Sequence, residues 1–280
     1  MTTTSNPVNA AVRAGLQRGW IEFRTIATSA ADLLGWLWMP IVALVVMYTL
    51  RGTTVPGTTF SLGAQAVPGI LAMTVVFTGM MGLAMALTSE REDGTLLRAK
   101  ATPHGVLGYL TGKVVGQATL TVAALLVVLV PSAFLFDGLR LGAVGAWLTL
   151  VWVLALGLVA TLPIGAVLGS LAPRPQSLGF VMLLITGLVM ASGVFYPVTA
   201  FPAWLQWIAQ VFPLYWLGLG MRSALLPDAL AVAEIGESWR HLETAAVLGA
   251  WAVLGFVVAP MVLGRMARRA TGSTVREPAT

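Results

Sequence analysis

The sequence contains no cysteine, which excludes disulfides, thiolate nucleophiles and cysteine metal sites, and leaves the redox compartment open. Charge is nearly as scarce. Only 10% of the 280 residues are Asp, Glu, Lys or Arg, while 58% are hydrophobic and the mean hydropathy is +0.87. An ordinary soluble domain is about 25% charged, so this chain is read as a polytopic membrane protein whose main solvent is the bilayer. There is no phosphate-binding loop. The only Gly-Lys pair, Gly112-Lys113, is followed by Val114, with Leu107 where the first glycine should stand. The two histidines, His104 and His241, fall on opposite sides of the expected membrane and cannot share a metal. No Ser/His/Asp arrangement can be argued, so no enzyme is expected and no metal or cofactor is assigned to this chain. No Asp or Glu lies inside an expected span, whereas ion-coupled carriers bury ionisable groups near midplane. A carrier of this kind needs an outside energy source.

What charge there is concentrates in one run, Ser89 to Pro103, which holds Glu90, Arg91, Glu92, Asp93, Arg98 and Lys100. The 38 residues from Gly52 to Ser89 carry none, and neither do the 23 from Val114 to Phe136. One charge at the bilayer centre costs about 2.5–3.5 kcal/mol on insertion scales, so this run must be a water-facing turn between two spans.

A span needs about 20 apolar residues. On that criterion the chain reads as an all-α membrane protein with six transmembrane helices: Leu33–Leu50, Ala66–Thr88, Gly105–Phe136, Leu141–Leu171, Leu178–Tyr196 and Thr244–Gly264. Pro68 is expected in the first turn of span 2 and Lys113 is expected to snorkel to the surface at the start of span 3. Met1–Asn9 is polar and expected to be disordered. Val12, Leu16, Trp20, Phe23 and Ile26 then share one helical face, with Arg13, Gln17, Arg18, Glu22 and Arg24 off it. This fits an amphipathic helix lying in the membrane surface, or an ordinary helix packed on the protein. No secretory leader is expected, because the first long apolar run starts near Leu33 with no small-residue cleavage site after it. The whole, 1–280, reads as a single transmembrane domain: 1–31 tail and interfacial helix, 33–264 spans, 265–280 tail.

Pro175–Met221 is 47 residues without a charge, too long for one span. Its second half holds Pro197, Pro202, Pro213, Gly218 and Gly220 among Trp204, Trp207, Tyr215 and Trp216, aromatics of the kind that settle at headgroup level. Broken backbone at membrane depth is tolerated only where protein or a cavity covers it. About Pro197–Leu226 is therefore read as re-entrant helices between spans 5 and 6, followed by an exposed polar loop, Pro227–His241. Six spans place both termini on one side. That side carries twelve Arg/Lys, and the other carries Arg51, Arg140, Arg222 and Arg240. The positive-inside rule makes the first side cytoplasmic, with both termini there. The charged turn then faces the cytosol and the broken segment faces out. The net charge of +5 reports this orientation and not a nucleic-acid partner.

Ser89-x-x-Glu92 matches a capping box, Gly94 can stop the helix of span 2, and Thr95 can cap a new short helix, Leu96–Thr102, before Pro103. On pattern alone the turn is either a solvated loop or a seat for another protein. Likewise Ser192–Trp216 is either an interfacial aromatic girdle or a gate. Gly112-x-x-x-Gly116 and Gly165-x-x-x-Gly169 could allow close helix packing, though matches this short are common by chance.

Together these motifs resemble the membrane subunit of type-2 ATP-binding-cassette exporters, most closely the daunorubicin, drug-resistance branch. The resemblance is carried by Glu90-Arg91-Glu92-Asp93-Gly94-Thr95-Leu96 with Ala101-Thr102-Pro103, and by Ser192, Gly193, Phe195, Pro197, Pro202, Trp204, Leu205, Pro213, Leu214 and Arg222. Leu97 departs from the glutamate common after Thr-Leu, and the aromatic after Pro213 is shifted to Tyr215-Trp216. The resemblance implies two permease subunits, identical or related, within membrane lipid. It also implies two cytosolic ATPase subunits that carry the ATP and magnesium. The coupling residues would be Glu90, Arg91, Glu92, Gly94, Thr95, Leu96, Leu97, Arg98, Thr102 and Pro103. The outer gate would comprise Ser192, Gly193, Phe195, Tyr196, Pro197, Pro202, Trp204 and Pro213. It implies export of hydrophobic or amphipathic compounds (drugs, antibiotics or lipids) from the bacterial plasma membrane. A glycan exporter of the same family and a membrane scaffold or sensor are the rival readings.

Overall fold

A computed structural model describes residues 7–54, 60–95, 98, 105–193 and 197–272, and among them it is helical almost throughout. Helix α1 is Pro7–Thr28 and α2 is Ala30–Thr49. Helix α3 runs Leu62–Glu92, with a π-helical stretch at Val75–Met81. Then come α4 (Gly105–Leu135), α5 (Val144–Leu171), α6 (Leu178–Ala191), α7 (Ala203–Val211), α8 (Pro213–Leu225) and α9 (His241–Gly272). Among the described residues four helices are long and apolar enough to cross a membrane: Leu62–Glu92, Gly108–Leu135, Val144–Leu171 and His241–Leu263. Leu37–Thr49 and Pro175–Ala191 are shorter apolar helices.

Helix α5 is the centre of the packing, touching α3, α8 and α9. Its approach to α3 depends on two glycines. A Cβ at Gly165 would run into the backbone of Met80, and one at Gly169 would lie 2.5 Å from the Ala84 carbonyl oxygen and 2.9 Å from its Cα. The Gly165–Gly169 pattern is therefore an interface that lets two backbones meet. The second pattern is also used. Gly15 of α1 abuts Gly108 and Gly112 of α4, and Gly19 abuts Gly112 and Gly116. The paired glycines rise in step, so α1 runs alongside the first turns of α4. At 1.5 Å per residue the 31 residues of α4 span about 46 Å, against a hydrocarbon core of about 30 Å. Leu16 and Trp20 of α1 point away from the protein, so the packed face is the small-residue face and the apolar one is left outward.

Several expected boundaries shift, among them the start of span 4, at Val144 and not Leu141, and both ends of span 6, whose helix is His241–Gly272. Helix α1 already includes Pro7–Asn9. Helix α3 begins at Leu62, capped by the Ser61 side chain, so Pro68 lies inside the helix and not in its first turn. Helix α6 ends at Ala191, short of the expected Tyr196, which lies outside the described residues. The π stretch was not anticipated. A π turn frees a carbonyl from its usual partner, and the Gln117 amide of α4 donates to the carbonyl of Thr78.

Candidate functional site

Two regions hold the residues singled out in the sequence, at opposite ends of the bundle. At one end α3 terminates at Glu92, and Gly94 adopts φ +70°, a left-handed conformation that halts the helix at little strain because glycine has no Cβ. The Arg98 amide then donates to the Gly94 carbonyl at 3.2 Å, closing the first turn of a new helical segment with Thr95 inside it. Leu96, Leu97, Thr102 and Pro103 lie outside the described residues. The expected capping box does not form. Ser89 is within α3, and its carbonyl accepts the Asp93 amide at 3.0 Å, so it is a C-terminal residue of an existing helix and not the N-cap of a new one.

The charges of the turn divide into two groups. Arg91 turns inward and donates to the carbonyls of Ser170 (3.1 Å), Ala172 and Pro173 (2.9 Å), the orphan acceptors at the C-terminus of α5. A cation there also complements the helix dipole. Buried Thr88 adds a bond from its hydroxyl to Gly169 O at 3.0 Å. Glu90 forms an ion pair with Lys113 of α4, whose side chain is 6% exposed. Lys113 is thus buried against α3, and the expectation that it snorkels outward is corrected. Glu92, Asp93 and Arg98 instead face outward, with the Arg98 guanidinium 3.0 Å from the Thr95 hydroxyl. The turn is therefore clamped to two helices from beneath while presenting both charge signs above.

The clamp has a measurable consequence. Arg91→Ala leaves three carbonyls without their donor, and bonds to charged groups contribute about 1.5–3 kcal/mol. The thermal midpoint of the solubilised chain should fall, with Arg91→Lys recovering only part of the loss because an ammonium lacks the planar fork. An Arg91 that served only an outside partner would leave the midpoint unchanged.

The broken segment occupies the other end. Ser192 is buried, Gly193 turns at φ +77°, and Phe195 and Tyr196 lie outside the described residues. Pro197 precedes a 3-10 turn (Val198–Ala200), Pro202 precedes α7, and Pro213 opens α8 at a position where a missing N–H costs nothing. Freed carbonyls are met by side chains. Arg222 donates to Gly193 O at 3.0 Å and Gln206 to Phe201 O at 2.8 Å. Trp216 donates to Gln210 O at 2.7 Å and Trp251 to Val211 O at 2.9 Å.

The four aromatics expected at headgroup level split. Trp204 and Trp207 of amphipathic α7 are 62% and 73% exposed, whereas Tyr215 and Trp216 are buried. Helix α8 is the reason: all thirteen of its residues are buried, wedged among α3, α5 and α9. The segment after it is not simply an exposed loop either. Glu234 folds back onto α8 and pairs with Arg222 through both carboxylate oxygens, at 2.6 and 3.2 Å, with both side chains buried. Beside it Asp228 binds Arg140 at 2.7 Å and the Trp239 indole at 3.1 Å.

Sequence reasoning missed Thr88, Gln117 and Glu234, and misplaced Lys113. Gln117 and Thr121 did carry a signal, as polar residues one helical turn apart in an apolar run. Among the described residues no group of three or more His, Asp or Glu could hold a metal.

A family model described as ABC-2 type transporter matches residues 15–226, about three-quarters of the chain. A protein of Bacillus subtilis (strain 168) named "Putative transport permease YvfS" is 23% identical over 199 residues, 71% of this chain and 80% of that protein.

Proposed function

Because the chain belongs to the ABC-2 type transporter family, a family of membrane transport subunits that partner ABC ATPases, we propose that it is the permease of an ATP-driven exporter for hydrophobic or amphipathic compounds. The observation that carries this reading is the two-sided charged turn. Glu90 and Arg91 fasten it to α4 and α5, while Glu92, Asp93 and Arg98 remain presented to water. A solvated loop needs no such fastening. A lever does, because a push delivered to the turn must move the spans and not bend the connection.

In this mechanism the ATPase seats against the turn from the cytosol, and its closure on ATP displaces the end of α3. The clamp passes that displacement to α5, whose glycine seam with α3 keeps the two helices together. Helix α5 packs on α8, the wedge of the broken segment, so motion of α5 reaches the opposite face. Helix α2 and the apolar helix Pro175–Ala191 complete six spans, with both termini cytosolic. The outer faces of α2 and α6 carry large apolar side chains, among them Trp38, Val45, Phe180 and Leu183, and would meet lipid or a second permease subunit. A cavity of about 560 Å³ beside the broken segment, bounded by Val76, Met80, Ile185, Leu205, Phe212 and Trp251, is almost wholly apolar, which suits a hydrophobic cargo.

The test lies in the presented half of the turn. Among the described residues a Cβ at Gly94 meets nothing within 4 Å, and Glu92 is exposed. Gly94→Trp should cost only about 1–2 kcal/mol of backbone strain, and Glu92→Lys little stability. Both are expected to abolish efflux of an amphipathic fluorescent dye from cells while leaving membrane insertion intact. Normal efflux in either variant would reduce the turn to a solvated loop.

A further inference from the structure

Helix α3 changes partners at its π-helical stretch. The half toward the charged turn, Gly82–Glu92, packs on α5, and the other half, Leu62–Thr74, packs on α2, α4 and α8. The stretch between them, Val75–Met81, touches both α4 and α5. A π turn closes i→i+5 bonds where an α turn closes i→i+4, so it takes in one residue more. The carbonyl of Thr78, within the stretch, accepts the side-chain amide of Gln117 from α4. Helix α3 makes room for that amide. A Cβ at Gly82 would lie 2.5 Å from the Gln117 amide nitrogen, and one at Gly79 would lie 3.2 Å from the Thr121 hydroxyl, which itself donates to the Gln117 carbonyl at 2.7 Å. A polar side chain in an apolar interface needs a partner, and the π stretch supplies a carbonyl that regular helical bonding would have engaged.

We propose that the π stretch is a joint in α3 and that Gln117 is its positioning residue, so that the half clamped to α5 moves while the half packed on α2 and α8 stays in place. This rests on the reading of the charged turn as the seat of an ATPase. A push on the turn carries Gly82–Glu92 together with α5, because Arg91, Thr88 and the glycine seam tie the two helices together. A continuous α-helix would drive Leu62–Thr74 the same way and take α8 along with α5, leaving no movement of one against the other. A π bulge is one of the few places where a helix bends sharply, and its extra residue lets bonds shift between i→i+4 and i→i+5. The Gln117 amide keeps the Thr78 carbonyl partnered while they do.

The extra residue makes the test specific. Deletion of Thr78 should return the stretch to α-helical bonding with both halves facing as before, and so give an inserted chain with a cooperative thermal transition after solubilisation. Deletion of Ala155 in α5, whose turns are all α-helical, rotates everything beyond it by about 100° and should leave no folded chain. Gln117→Leu should lower the thermal midpoint of the otherwise unaltered chain. In the Thr78-deleted chain it should leave the midpoint unchanged or raise it, because the carbonyl that the amide serves is no longer there. In cells the Thr78-deleted chain should keep its ATPase and yet lose dye efflux, whereas Gly94→Trp loses both. A Thr78 deletion as destructive as that of Ala155, or an equal penalty for Gln117→Leu in both backgrounds, would overturn the joint without any assay of transport. Efflux retained by the Thr78-deleted chain would overturn the joint and leave the seat standing. An unaltered chain that brings no ATPase would overturn the seat, and the joint with it.

Discussion

Glu234→Ala is expected to lower the stability of the solubilised chain by about 3–5 kcal/mol, the range for removing one partner of a buried ion pair. Arg222 is 4% exposed, sits on a helix whose every residue is buried, and makes two bonds to Glu234 and one to Gly193 O. Without the carboxylate its guanidinium keeps one carbonyl and loses its counter-charge. The charge cannot be shed, since arginine stays protonated, nor can α8 move outward without uncovering the carbonyls of the broken segment. The result should appear as a large drop in thermal midpoint and in the monodisperse fraction after solubilisation. Arg222→Met with Glu234→Leu should be less damaging than either Arg222→Met or Glu234→Ala alone, because the pair is removed whole and no charge is left buried. A double variant as unstable as the single ones would mean that the segment is held by something other than this pair.

Gly165→Leu should prevent α3 and α5 from meeting. The obstacle to its side chain is the Met80 backbone, which cannot turn aside as a side chain can, and the same holds at Gly169 against Ala84. Overpacking of this kind costs about 1–3 kcal/mol and sometimes more. Here it also separates the carbonyl of Gly169 from the Thr88 hydroxyl. Two readouts are expected to change together: a lower thermal midpoint and loss of transport, since the clamp and the seam join the same pair of helices. Gly249→Leu is the matched control. A Cβ at Gly249 meets nothing within 4 Å, and leucine favours the helix more than glycine does, so it should be neutral or slightly stabilising.

The helices were legible in the sequence because the bilayer imposes a simple rule on apolar length. Gly105–Phe136 and Leu178 onward were placed within a residue at their starts. The charged turn was legible for the same reason, as the place where the rule is broken. What could not be read was which face of each residue is used. Glu90 and Lys113 stand 23 positions apart and looked like two water-facing charges, and only the fold brings them together. Glu234 looked like a loop acid because its partner Arg222 lies in a different segment. The π stretch, VVFTGMM, is apolar throughout and shows no periodicity from which a wider turn could be inferred. The glycine pairs are the opposite case. Their pattern was visible, but a four-residue spacing in a chain with 30 glycines has no meaning until the opposing backbone is found. Tyr215 and Trp216 were read by residue type as interfacial, and the burial of α8 overrode that type. The outer half of the turn is the reverse, since its exposed charges were legible from composition alone.

The central claim is that the charged turn is the seat of an ATPase, and its most direct measurement is capture of this chain from native membranes in mild detergent, followed by assay of the eluate for ATP hydrolysis. A stoichiometric ATPase should co-purify with the unaltered chain, remain with Gly249→Leu, and be lost from Gly94→Trp although that variant is inserted and folded. A folded chain that brings no ATPase with it, or one that keeps it in Gly94→Trp, would contradict the account.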